Sequence, residues 1–419
     1  MRCLVTVSDW PAHWLPGVPL LRALRDAGHD VIVACAASQE SALRATGLPV
    51  AGVLGDLDMM FLARLAVVTA AARGDGGDRE LLDPLDGCPL PPSTGPEDLR
   101  DVVRRGRLHI VRETARGAQA VLDLAARTDP DLVLHDRLSL DGILVGRYRS
   151  VPHVAWLWGP VGTAETDPRL TPLPVDHTGV FARHGLPPLH PDLVEHVLDP
   201  CPADLAPPTR AHRTAVRYEP CWTAGPGAEP EPLPADGEGR WVCVVWSDSV
   251  RRSHGTRAHP VARVVEAAGR VPGARVLLLG DPGDVLPGPL PPWVHAAGRR
   301  PLADVLPHCA AVVHHGGAGV TMTSVVAGVP QLAVTSGAEE DADGRRLAAT
   351  GAGRHVRTRP DLPGGVDVPD LVDALTRLLH DPAHTRAARR LRRQALDRPA
   401  PADVVPRLEE IATGSRVPA

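Results

Sequence analysis

One pattern constrains this chain more than any other: a short, continuous apolar run followed by a stretch of helical periodicity, repeated on both sides of a segment crowded with proline and glycine. Apolar runs without alternation are the strands of a parallel sheet, because helical crossovers cover both of its faces. Residues 2–8 form such a run. Residues 18–27 then carry helical periodicity up to Gly28, the residue type that commonly ends a helix, and residues 30–36 resume as a second strand. This βαβ opening predicts a doubly wound domain. Helices over 57–72 and 99–126 and strands over 131–135 and 154–158 continue it, and Pro84, Gly87, Pro89, Pro91, Pro92, Gly95 and Pro96 predict a mobile surface loop over 75–98.

The second Pro/Gly-rich stretch, 220–239, has little apolar material and reads as a linker. Beyond it the βα rhythm restarts, with strands over 241–246, 275–279 and 310–314 and a helix over 260–268. A length of 419 residues suits two domains of this kind. The expected organisation is a Rossmann-like domain over 1–219, a linker over 220–239, a second Rossmann-like domain over 240–384, and a helical tail over 385–419 packing back toward the first domain. Two such domains facing each other would place the carboxyl ends of both sheets around one cleft, where ligands of open α/β sheets bind. The arginines of 385–396 read as a solvated helix face.

Composition removes several function classes. A net charge of −5, with no basic stripe beside interleaved aromatics, argues against a nucleic-acid partner. No apolar run reaches the ~18 residues that span a bilayer, so no membrane insertion and a cytoplasmic location are expected. The seven cysteines include no C-x-x-C pair, which predicts buried free thiols instead of disulfides or zinc ligands. The chain contains no lysine and no asparagine, as in proteins of GC-rich genomes; without lysine, Schiff-base chemistry and P-loop nucleotide binding are excluded.

Residues 312–319, VVHHGGAG, end a strand at His314 and His315, turn on glycines, and lead into a helix over 320–327. Such a junction aims unpaired N–H groups and a positive dipole end at an anion, with space for two phosphates, and His315 adds a donor. No G-x-G-x-x-G follows Ser8, which argues against a dinucleotide enzyme. In the first half, His13 follows the first strand in SDWPAHWLP, on a loop at the ligand end of the sheet. An imidazole there can accept a proton from an attacking nucleophile, or be a surface residue. Asp136, at the end of the 131–135 strand, reads either as a functional carboxylate or as a helix cap. Trp10, Trp14 and Trp158 are placed to stack on a planar ligand or to pack a core, and Trp156 belongs to the core. The acidic DAD at 341–343 resembles a metal-binding D-x-D but sits in an expected solvent loop, and no metal is expected.

HHGGAGVTMTSVVAGVPQLAV, together with PAHWLPGVPLLRALRDAGHDV, PDLVLHDRLSLDG, LDPCPADL, RRPLADVLPHCAAVVHHGGAG and LAATGAG in the same order, resembles the GT-B glycosyltransferases of actinobacterial natural-product biosynthesis over nearly the whole chain. The resemblance implies an α/β fold of two Rossmann-like domains, the first for the acceptor and the second for a nucleotide sugar. It implies inverting, metal-independent transfer to a small lipophilic aglycone, with no cofactor and the nucleotide sugar as co-substrate. His13 would be the base, Asp136 would orient its imidazole, and Trp10, Trp14 and Trp158 would meet the acceptor. His315, Gly317, Ala318, Gly319 and Val320 would hold the diphosphate, Arg300 would flank the base, and Ser247, Glu339 and Glu340 would complete the donor site. Thr323 stands where enzymes using ribonucleotides carry a Glu for the ribose hydroxyls, which favours a TDP-deoxysugar.

The chain departs from the family in three places. Glu339–Glu340 replaces Asp–Gln, Val320 replaces a threonine, and WSDSV puts Asp248 beside the expected phosphates. A degenerate homologue acting as a binding partner and a nucleotide-sugar epimerase therefore stand as alternatives, and a homodimer, an auxiliary activator and a carbon nucleophile are left open.

Overall fold

The computed structural model describes every residue except 75–79, 223–232, 234–239, 247–259, 281–285, 287, 360–361 and 415–419. Most of the expected linker and the expected donor residue Ser247 lie outside the described residues, as do Asp248 and Ser249.

The chain forms two compact units. The first holds seven parallel strands, β1 (Arg2–Thr6), β2 (Asp30–Ala36), β3 (Val50–Leu54), β4 (Leu132–Asp136), β5 (His153–Trp156), β6 (His196–Asp199) and β7 (His212–Ala215), in the order β3-β2-β1-β4-β5-β6-β7. The order reverses direction between β1 and β4, and this switch point opens a crevice beyond their carboxyl ends. Register puts Thr6 opposite His135, so Asp136 leaves β4 beside the residues that follow β1. Helix Leu140–Arg149 lies close on these strands because Gly142 has no Cβ: one would stand 2.5 Å from Thr6 Oγ1 and collide with His135. The core beneath is built from Leu4, Val133, Ile143, Leu144 and Val197, all fully buried.

The second unit holds six parallel strands, β8 (Arg240–Val245), β9 (Ala274–Leu279), β10 (Val294–Gly298), β11 (Ala311–His314), β12 (Gln331–Thr335) and β13 (Gly353–Arg357), in the order β10-β9-β8-β11-β12-β13. Its switch point lies between β8 and β11, with Val245 opposite His314. Both sheets are wholly parallel, as the unbroken apolar runs required.

Several boundaries differ from expectation. Helix Pro96–Thr128 begins inside the stretch expected to be loop: Pro96 is its first residue, where a missing N–H costs nothing, and the Asp98 carboxylate accepts from the Gly95 N–H. The tail divides. Helix Pro382–Leu396 packs on helix Ala318–Ala327 within the second unit, whereas helix Pro401–Gly414 packs on helix Val18–Asp26 within the first. All seven thiols are free, but not all are buried: Cys88 is exposed and Cys221 and Cys309 are half-buried. Among the described residues no helix is long and apolar enough to cross a membrane.

Candidate active site

The candidate site of the first unit forms where β1 ends. The chain turns into a single helical turn, Pro11–Trp14, instead of the expected loop, and this turn carries His13 inward to 7% exposure. The Trp156 Nε1–H donates to the His13 carbonyl at 2.8 Å, fixing the backbone. The imidazole stacks on Trp158, with ring centroids 3.9 Å apart and planes 11° from parallel. Its Nδ1 lies 2.8 Å from Ser8 Oγ, and among the described residues Nε2 has no hydrogen-bond partner. Burial, assisted by the Arg137 guanidinium, pushes the imidazole down to about 3, so it stands neutral. Arg137 lies 4.5 Å from the Trp158 ring centroid and donates to the Thr171 carbonyl.

Asp136 ends β4 with no exposure. Its carboxylate accepts from the Ser8 amide and, at 2.9 Å, from the Leu138 amide. Burial raises it to about 6 against these bonds. Its expected direct contact with His13 is not made: Ser8 stands between them. Nothing in the sequence marked Ser8 except its place between a strand and the histidine loop.

The tryptophans separate. Trp158, expected to meet the acceptor, is buried at 3% exposure with its ring stacked on His13, and Trp10, partly exposed, precedes the helical turn. Trp14, expected to meet the acceptor, is instead a core residue at 1% exposure, its Nε1–H donating to Gln39 Oε1. Helical spacing explains this: one residue past His13 the side chain points to the β2 side of the turn. Trp156 is core, as expected.

The candidate site of the second unit forms after β11. Alternation along the strand sends the paired histidines to different surroundings. His314 is fully buried; its Nδ1 accepts from the Gly316 N–H and its Nε2 donates to Gln331 Oε1, each at 3.0 Å. Burial and neighbouring His315 lower it to about 3. His314 therefore pins the turn, a role the sequence did not distinguish from that of His315. Gly316 has φ +89°, and a Cβ there would stand 2.7 Å from Thr335 Cγ2. A Cβ on Gly317 would overlap His315 Nε2, so that ring lies over the turn. Gly317 caps helix Ala318–Ala327 without a side-chain acceptor, and the amides of Ala318, Gly319 and Val320 precede the first intrahelical bond. An anion fits this arrangement of N–H groups at a dipole's positive end.

The Thr323 hydroxyl donates to the Gly319 carbonyl at 2.7 Å, and Tyr218 donates to the same oxygen. Arg300 donates through Nε to the Ala297 carbonyl, just beyond β10. Glu339 and Glu340 lie in the first turn of helix Ala338–Ala349; Glu340 folds its carboxyl over Gly337 and touches the Gly316 turn, and burial raises its pKa. The DAD sequence is in this helix and not in a solvent loop: Asp341 and Asp343 are each 1% exposed, and Asp341 pairs with Arg345 and His355. Among the described residues no group of three His, Cys, Asp or Glu side chains could hold a metal ion.

Two Rossmann-like units, one presenting an imidazole and the other a glycine turn at its switch point, define the GT-B class of transferase. Residues 262–411 match the family described as erythromycin biosynthesis protein CIII-like, C-terminal domain. Over 99% of its length the chain is 30% identical to aklavinone 7-beta-L-rhodosaminyltransferase of Streptomyces galilaeus, covering 97% of that protein. It is 32% identical to elloramycin glycosyltransferase ElmGT of Streptomyces olivaceus, with 97% of each chain covered. The structure of spinosyn rhamnosyltransferase SpnG complexed with thymidine diphosphate superposes with a TM-score of 0.71 at 26% identity, over 98% of this chain and 100% of that one. The chain belongs to this family of natural-product glycosyltransferases.

Proposed function

We propose that the chain moves a deoxysugar from a TDP-sugar to a small lipophilic aglycone, inverting the anomeric centre in one displacement without a metal ion. The observation that carries this reading is the state of His13: neutral, buried at the β1/β4 switch point, with Nδ1 engaged and Nε2 open among the described residues. In the displacement the acceptor hydroxyl gives its proton to Nε2, its oxygen bonds to the anomeric carbon, and the carbon–oxygen bond to the diphosphate breaks. The amides of Ala318, Gly319 and Val320, with His315, stabilise the charge left on TDP. Trp10, partly exposed, offers apolar surface to the aglycone, and buried Trp158 backs the imidazole. The relatives support the donor class: SpnG is described with thymidine diphosphate and VinC with DTDP. The reading places the protein in the cytoplasm, with its nucleotide-sugar supply.

The test is a panel of TDP-deoxysugars incubated with aklavinone, tylactone or 10-deoxymethynolide, following TDP by chromatography and product anomeric configuration by NMR. TDP release that requires an aglycone, with an inverted product, is expected. A retained configuration refutes the single displacement. Donor isomerisation without aglycone would indicate the epimerase, and TDP binding without turnover across the panel the degenerate homologue.

A further inference from the structure

We propose that Gln331 is a positioning residue for the donor diphosphate: it holds His314 as the Nε2–H tautomer and thereby fixes which amides of the glycine turn are left for the anion. The inference rests on the reading of that turn as the donor site.

Gln331 opens β12 opposite Val312 of β11, and alternation puts its side chain on the same face as Val312 and His314. It is 1% exposed, and its two ends meet different partners. Nε2 donates to the Thr321 carbonyl at 3.2 Å, and Oε1 lies 3.0 Å from His314 Nε2. A carbonyl can only accept, so the amide NH2 must face Thr321; the amide oxygen then faces His314 and takes the Nε2 proton. From the other end, the Gly316 N–H can only donate, so His314 Nδ1 must be bare. Two groups with no freedom of role, one on each side of the pair, specify the same tautomer.

The bonds close on themselves. The Thr321 N–H and hydroxyl both donate to the Gly317 carbonyl, at 3.0 and 3.1 Å, next to Gly316. Gly316, His314, Gln331, Thr321 and Gly317 therefore form a ring of hydrogen bonds that ties β11 and β12 to the turn and to the start of helix Ala318–Ala327. The Gly316 N–H is spent inside this ring, while the amides of Ala318, Gly319 and Val320 stand ahead of the first intrahelical bond, which Thr321 makes. Glycine reaches φ +89° without strain but equally reaches other conformations, so the acceptor at Nδ1 is what selects this one. In the other tautomer an N–H on Nδ1 would face the Gly316 N–H, and the turn would have to rearrange to find that amide a partner. Water offers no substitute, because His314 is fully buried and Thr321 is 1% exposed.

The test combines calorimetric TDP binding, turnover with the fastest donor and aglycone of the panel, and nitrogen NMR of isotope-labelled histidine in the full chain, the His314 signal being assigned by its loss in His314→Leu. Gln331→Met, close in length and apolar, removes both bonds of the amide. It is expected to weaken TDP binding about tenfold, with kcat at saturating donor within about twofold of the parent, and to replace the single His314 tautomer by a mixture. In a His314→Leu background the same change should add less than about twofold, because Gln331 acts through that imidazole. Gln331→Glu reproduces both bonds only while its carboxyl is protonated, so its TDP affinity relative to the parent should be at least about threefold better at pH 6 than at pH 8. Should Gln331→Met not fold, that ratio decides. Unchanged TDP affinity or an unaltered His314 tautomer in folded Gln331→Met, or its full effect in the absence of His314, overturns the inference and leaves the donor reading in place. A parent chain that binds no TDP sinks both.

Discussion

The two switch points share a topology and differ in what they are made of. At β1/β4 the working groups are side chains, His13, Ser8, Asp136 and Trp158, buried and tied to one another. At β8/β11 they are backbone amides, exposed by glycines and pinned from below by His314. The difference follows the chemistry asked of each. A proton acceptor must change its own bonding and needs a tunable side chain, whereas a diphosphate needs only fixed dipoles, which backbone supplies without reorganisation. Damage at the first switch point should therefore appear in kcat, and damage at the second in donor affinity.

The largest effect should come from His13→Ala, which is expected to reduce kcat about 1,000-fold while calorimetric TDP affinity stays unchanged. A loss of TDP affinity in that variant would break the division of labour. Next, Gly316→Ala places a Cβ where φ is +89° and Thr335 is 2.7 Å away, and should weaken TDP binding about 30-fold, or about 2 kcal/mol, with kcat at saturating donor far less affected. Trp158→Leu removes the stacking face but no proton acceptor; a drop of about tenfold in kcat is expected, with TDP binding intact, and equal losses in both would show that the ring only supports the fold.

Acid should weaken the first unit more than the second. His13, His135 and His153 are buried neutral there, lowered from the ordinary 6.5 to about 3, 4 and 3. The unfolded chain binds protons at these sites below pH 6.5 while the folded one does not, so the stability they contribute is lost as pH falls toward 4, offset in part by Asp136 and Asp141, whose carboxyls, raised to about 6 and 7, take up protons first in the folded chain. Hydrogen exchange of β4 and β5 compared with β11 between pH 7 and 5 measures it; β11 has fully buried His314 alone on its strand, and equal acceleration would remove the contrast. The smallest effect is expected from Glu340→Gln, a few-fold weakening of an aminodeoxy-sugar donor with a neutral one spared, since the carboxyl folded over Gly337 offers a partner for an ammonium group. Equal effects on both donors would show that Glu340 only shapes the turn.

Much of this was legible in the residues. Unbroken apolar runs fixed the parallel strands, and strand, glycine turn and helix were all visible around VVHHGGAG because each depends on local sequence. His13 and Asp136 were also visible as candidates, since both follow strands that a doubly wound order brings side by side. Hidden were Ser8, which has no distinguishing neighbours, and the burial of both Trp14 and Trp158, the one packed toward Gln39 and the other stacked on His13. The acidic triplet at 341–343 misled for a related reason: a run of polar residues reads as solvent-facing, but Asp341 is satisfied by Arg345 and His355 and so can be buried.

The sequence by itself determined the order of strands and helices, the glycine turn, and the residue types available at each switch point, because backbone preference and hydrophobic periodicity act over a few neighbours. Only the tertiary structure decided which groups touch: that Asp136 reaches Ser8 and not His13, that His314 holds the turn while His315 lies over it, and that one tryptophan packs a core while another backs the base. Contacts of that kind depend on register and on crossovers spanning more than a hundred residues, and a hydrogen bond is made or lost within half an ångström, finer than any pattern along the chain can specify.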